Sequence, residues 1–187
     1  NGSTVDGFAP DIYAYDVILP PGTVTVPTVT ATTTSSTASH VINNPGSLPG
    51  SASVVVTSTD GSATLSYTLN YFVEPDPPVC PDQSSCFGLP VPDLSATGSN
   101  ITWYADAALT SQVHTGNTFA TGMTDPGTYT YYATQTVDDI ESAPSEVTLT
   151  IYALPSVVAN ASDEVLCAGE QLTLTGSGAL TYTWDQG

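Results

Sequence analysis

The side chains best able to do chemistry in this 187-residue chain are acidic. Asp138, Asp139 and Glu141 crowd a turn between two strand-like runs. A calcium ion takes about six to eight oxygens, and a hairpin tip supplies about three or four. No EF-hand or D-x-D-x-D spacing surrounds these residues. They read first as a solvated acidic turn, with calcium as the weaker reading, and no resident cofactor is expected. Asp106 and Asp125 make a still weaker pair. Two imidazoles, His40 and His114, and three thiols, Cys80, Cys86 and Cys167, remain. Zinc favours ligand pairs at short spacing, and no C-x-x-C occurs here. Neither histidine has a nucleophile motif around it, and nothing suggests two carboxyls flanking a glycosidic bond. The chain is read as non-enzymatic.

Charge narrows the partners. Lys plus Arg is 0 and Asp plus Glu is 18, for a formal charge of −18. Nucleic acid binding needs cations that displace phosphate counterions, so it is excluded. Anionic membrane surfaces are disfavoured on the same ground. No apolar run approaches the ~20 residues of a spanning helix, so no membrane insertion is expected of this section. Neutral ligands such as glycans remain, with neighbouring domains or subunits of one assembly. Tyr13, Tyr15, Tyr104 and Tyr132 could stack on sugar rings, although tyrosines of this kind are more often half-buried sheet residues. Asn1-Gly2-Ser3, Asn100-Ile101-Thr102 and Asn160-Ala161-Ser162 match the glycosylation acceptor pattern.

The elements that position these groups are strands. Gly and Pro number 15 each, and no long helical pattern exists. The fold class expected is all-β, as tandem Ig-like β-sandwiches. Residues 1–73 form a first unit. Ile12, Ala14, Asp16 and Ile18 alternate with Tyr13, Tyr15 and Val17, which is strand periodicity. Val24, Val26 and Val29 begin another strand, and Val54-Val55-Val56 runs into a hairpin signal at Asp60-Gly61. Leu65, Tyr67, Leu69 and Tyr71 alternate with polar residues. Residues 74–92 carry six prolines and read as a stiff linker leading into the second unit.

The second unit, 93–152, is organised around Trp103 and around Asp125-Pro126-Gly127-Thr128-Tyr129. The latter has the D-x-G-x-Y pattern of a tyrosine corner, in which the hydroxyl of Tyr129 bonds back to the chain. Tyr131 then holds the place of the second core cysteine of an antibody domain, facing a buried Trp. Residues 153–187 begin the pattern again. Cys86 precedes Trp103 by 17 positions, and Cys167 precedes Trp184 by the same 17. The period is 81 residues (184 − 103), right for strung sandwiches. Trp184 is the expected core of a third unit, and the whole is expected to be a section of a longer protein.

Gly7-Phe8-Ala9-Pro10-Asp11-Ile12-Tyr13 and Leu48-Pro49-Gly50-Ser51-Ala52 resemble cadherin-like sandwich modules of large bacterial secreted proteins. Those modules usually have one strand more at their start, so completion by a donated strand is an expectation. Ile101-Thr102-Trp103-Tyr104, Pro126-Gly127-Thr128-Tyr129-Thr130-Tyr131-Tyr132 and Glu141-Ser142-Ala143-Pro144-Ser145 resemble Ig-like and PKD-like modules of Bacteroidota surface proteins, many exported by type IX secretion. That resemblance implies an extracellular location. The family often has a cysteine where this chain has Ile140, so the usual partner of Cys86 is missing. Cys80 and Cys86 are then expected to bond to each other, leaving Cys167 to an outside partner. The function expected is a structural section of an adhesin, stalk or surface filament. The alternative is a carbohydrate-binding or accessory module of a secreted polysaccharide-degrading enzyme.

Overall fold

The computed structural model describes Val5 and residues 7–184. The described chain is all-β, with no helix. Among its described residues the first unit has four strands: β1 (Ala14–Leu19), β2 (Ser39–Asn43), β3 (Gly50–Thr57) and β4 (Thr64–Val73). They form one sheet in the order β1-β4-β3-β2, with β1 parallel to β4 and the other pairs antiparallel. The alternation along each strand sends one set of side chains inward. Ala52, Leu69 and Tyr71 are buried there, with Val5, Val17, Leu19, Val29 and Leu48 packed on them. The outer face carries a polar row across three strands in register. Asn70 donates to the Asp16 carboxylate at 2.9 Å, and Ser51 donates to Asn70 at 2.8 Å. A charge held on β1, an edge strand, discourages unplanned pairing there.

The β3–β4 hairpin closes on Asp60. The Ser58 and Ser62 hydroxyls donate to its carboxylate at 2.7 and 2.8 Å, and the Ser62 N–H adds a third bond at 3.1 Å. These donors favour the charged form, led by Ser58, and hold the pKa at about 2, below the ordinary 3.8. A depressed carboxyl pKa gives a contribution to stability that is present above pH 3.8 and lost as pH falls through about 2. An NMR titration of the Asp60 carboxyl carbon should therefore give a midpoint near 2. A midpoint at 3.8 would mean that the turn does not hold the carboxylate.

Val24, Val26 and Val29, with Thr residues between them, predict the start of a strand. Residues 24–32 place Val29 against the core but join no ladder among the described residues. The cause is topological. Residues 44–49 connect β2 directly to β3, so among the described residues no strand between those two is available to pair with that segment.

The second unit contains β5 (Gln83–Cys86), β6 (Leu94–Ser95), β7 (Thr102–Tyr104), β8 (Gln112–Thr115), β9 (Thr118–Phe119), β10 (Gly127–Thr134), β11 (Thr136–Val137), β12 (Ile140–Glu141) and β13 (Ser145–Tyr152). Its main sheet runs β5-β13-β10-β7-β8, again with the first strand parallel to the last. The four-strand core of that order repeats the order of the first unit. The opposing layer is β6 paired with β9. Between the layers Leu94, Ile101, Trp103, Ala133, Val147 and Leu149 are almost wholly enclosed. Each large apolar side chain so enclosed contributes about 1.5–3 kcal/mol. This is an Ig-like sandwich: two sheets, a central Trp, and a parallel first-to-last strand pair.

In residues 153–184, β14 (Val158–Ala161) pairs antiparallel with β15 (Leu174–Ser177). Asn160 lies one period of 81 residues after Val79, which makes the isolated bridge to Thr97 in the second unit, while Asn160 pairs with Thr175. Both units also share a Cys-x-Gly turn. The Leu89 N–H donates to Cys86 O at 3.0 Å with Gly88 at φ 85°, and the Glu170 N–H donates to Cys167 O at 3.1 Å with Gly169 at φ 98°. Glycine reaches that left-handed region without strain.

Candidate functional site

Each sequence-predicted residue takes its place from the strand that carries it. Trp103 is fully buried on β7, and its indole N–H donates to Gly116 O at 2.8 Å. Phe119 bridges Trp103 and Tyr131, with ring centroids 5.7 and 5.1 Å away and an edge-on contact to Tyr131. Tyr129 is partly buried, and its hydroxyl donates to Asp125 O at 2.9 Å. Trp184 differs from the other three, being 47% exposed. The described residues of its unit supply one hairpin and no second layer to cover it.

The expected disulfide is not formed. Cys80, Cys86 and Cys167 are all free thiols. Cys80 packs against the core of the second unit, and its pKa is pushed up by burial. Cys86 ends β5 and faces solvent. The stretch 74–92, expected as a Pro-rich linker and the start of the second unit, contains β5, and Cys86 is its last residue.

The acidic trio divides between two surroundings. Asp138 and Asp139 sit at the β11–β12 tip with φ of 49° and 62°. Glu141 instead lies over the outer face of the main sheet, where it accepts the Tyr104 hydroxyl at 3.0 Å and the Thr134 hydroxyl at 2.7 Å. The Tyr104 pKa is raised, first by burial and then by Glu141. Among the described residues no group of three His, Cys, Asp or Glu is arranged to hold a metal ion. Asp106 closes the β7–β8 turn by accepting Thr110 and Ser111 N–H groups at 3.2 and 2.7 Å. Those backbone donors, Thr110 first, lower its pKa. His114 stacks on Phe119 at 5.3 Å, and His40 pairs opposite Val56. Tyr132 donates to Glu146 at 3.3 Å. Tyr15 is tied to Ala9 at both its N–H and its C=O, and Tyr13 leans on Tyr67, 48% exposed.

The most constructed polar arrangement lies where the two units meet, and sequence reasoning missed it. The Glu74 N–H donates to Leu19 O in the first unit at 2.9 Å. Its carboxylate accepts the Ala143 N–H of the second unit at 2.9 Å. Gln135 donates through Nε2 to Asp76 O at 2.6 Å and accepts the Ser99 N–H at 2.9 Å. The Ser145 hydroxyl donates to Pro78 O, and Asp82 accepts the Thr148 N–H at 2.7 Å. Pro75, Pro77 and Pro78 fix φ between these ties. A cleft of about 260 Å³ lies at the joint, lined by Phe72, Glu74 and Asp76 on one side and Val137, Asp138 and Ile140 on the other. The available signal was the acid Glu74 placed directly ahead of a proline run.

No family model matches the chain. It is similar to a gellan lyase. That protein, from a Bacillus species, is 46% identical over 76 residues. The match takes in 39% of this chain and 3% of the lyase, so the chain spans a small part of that relative. Among solved structures, titin domains I67–I69, in an E-to-A variant, align at 13% identity with a TM-score of 0.31, covering 74% of this chain and 62% of titin's. Titin z1z2 in complex with telethonin aligns at 16% identity with a TM-score of 0.29, covering 75% and 93%. Human protocadherin-24 EC1-2 gives 13%, 0.23, 79% and 98%.

Proposed function

We propose that this chain is a non-catalytic spacing section of an extracellular protein, a run of Ig-like units held at set angles in a stalk, adhesin or surface filament. The carrying observation is the joint at Glu74, whose backbone belongs to one sheet and whose side chain is bonded to the next unit. A flexible tether would leave these carbonyls and carboxylates to water. Here the chain captures Asp76 O and Pro78 O with side chains of the second unit. The charge of −18, with no cation to offset it, keeps neighbouring molecules apart within a Debye length of about 8 Å. The partners proposed are adjoining domains or subunits, with no resident cofactor, in a setting like that of large Bacteroidota surface proteins. Small-angle scattering tests the reading. The native chain should give the profile of one fixed shape, and the double variant Glu74→Ala/Gln135→Ala a broadened one. Identical broad profiles for both would count against it.

The similarity to a gellan lyase favours a second reading, in which the units are accessory modules of a polysaccharide-acting enzyme. Half-exposed rings such as Tyr13 offer the flat apolar faces that sugars use. Calorimetric titration with gellan and with a neutral glucan separates the two readings. Spacing alone predicts no heat above dilution, and saturable binding would favour the accessory role.

A further inference from the structure

We propose that residues 24–32 of the first unit are an acceptor for an added β-strand, filling the place that β9 fills beside β6 in the second unit. The two units share the order β5-β13-β10-β7 and β1-β4-β3-β2, so their layers can be compared position by position. In the second unit the chain between β7 and β10 makes β9, which pairs Phe119 with Leu94 and drops the Phe119 ring between Trp103 and Tyr131. In the first unit the turn 44–49 replaces that whole excursion. Among the described residues the second layer is left as the segment 24–32, with Val5 packed on the same core.

That segment has the form of a strand without its ladder. Val29, Ala31 and Thr33 face inward and are half-buried, while Thr28, Thr30 and Thr32 face out. Among the described residues, none from 24 to 32 makes a backbone–backbone hydrogen bond. Backbone N–H and C=O groups are obligatory hydrogen-bonding groups, and a row of them over an apolar face is a template for another strand. The apolar cover is also incomplete, since Phe8 is 50% exposed, Tyr13 48% and Val24 88%. The occupant that fits is an extended segment free of acidic residues, because a chain of −18 with no Lys or Arg repels an acidic donor. It carries a large apolar side chain beside threonine, as Thr118-Phe119 does. Main-chain bonds give such strand addition its affinity, and alternate side chains give its specificity. Strand capture would hold whether or not the joint at Glu74 is rigid.

Hydrogen exchange read by mass spectrometry tests this on the whole chain, using a synthetic peptide with the sequence of residues 114–123. The amides of residues 24–26 and 28–32 (Pro27 has none) should exchange without protection in the free chain. They should slow by about tenfold at a peptide concentration about ten times its Kd. A peptide with Phe119→Ser should give no slowing. The chain variant Thr30→Pro loses a donor that bonds no backbone carbonyl among the described residues, so it should keep the protection of β3 and β4 and lose the response to peptide. The proposal fails if these amides are already protected in the free chain, if the peptide slows nothing, or if Thr30→Pro responds like the native chain.

Discussion

Replacing Trp103 with Ala is expected to unfold the second unit under conditions where the native chain stays folded. A buried Trp→Ala change costs about 3–5 kcal/mol through lost contacts and the cavity left behind. The Gly116 carbonyl, which now accepts the indole N–H at 2.8 Å, would lose that partner at a further cost of about 1 kcal/mol or more. Against this, a unit of this size has a net stability of only about 3–10 kcal/mol, at ~0.05–0.15 kcal/mol per residue. Urea unfolding followed by circular dichroism should show the second unit's transition lost or moved to much lower urea. Trp184→Ala is the control. Its side chain is 47% exposed, so its effect on this chain should stay within about 0.5 kcal/mol. Equal losses from the two substitutions would contradict the layer assignment.

The second large effect belongs to the joint. Glu74→Ala combined with Gln135→Ala removes the Ala143 N–H acceptor and the donor to Asp76 O. Both bonds are exposed to solvent, so each is worth about 1 kcal/mol. Losing ~2 kcal/mol shifts an equilibrium by up to about thirtyfold. That is enough to turn a minor open arrangement of the units into a populated one while both cores stay intact. Unfolding midpoints should therefore barely move, and the relative orientation of the units should loosen.

The parts legible in the sequence were those written locally. Tyr129 and Trp103 stand out because a turn pattern and a strand alternation fix their environment within a few residues. The alternation of Val147, Leu149 and Ile151 likewise predicts a face, and that face is buried. Pairing is not local, and there the reading ran out. Val24, Val26 and Val29 have a strand's pattern, yet whether they find a ladder depends on what lies between β2 and β3. Cys80 and Cys86 are close in sequence, but their spacing does not show that β5 begins between them. Glu74 and Gln135 were not singled out, since their bonds join segments about 60 to 70 positions apart.

On the proposed function, the strapped proline segment makes the two units one body. Residual dipolar couplings of backbone amides, measured on the whole chain in a dilute aligning medium, test it most directly. Couplings from β1–β4 and from β5–β13 should fit one common alignment tensor of the same magnitude and orientation. Two tensors of clearly different magnitude would mean that the units tumble independently, and the spacing role would fall with the joint.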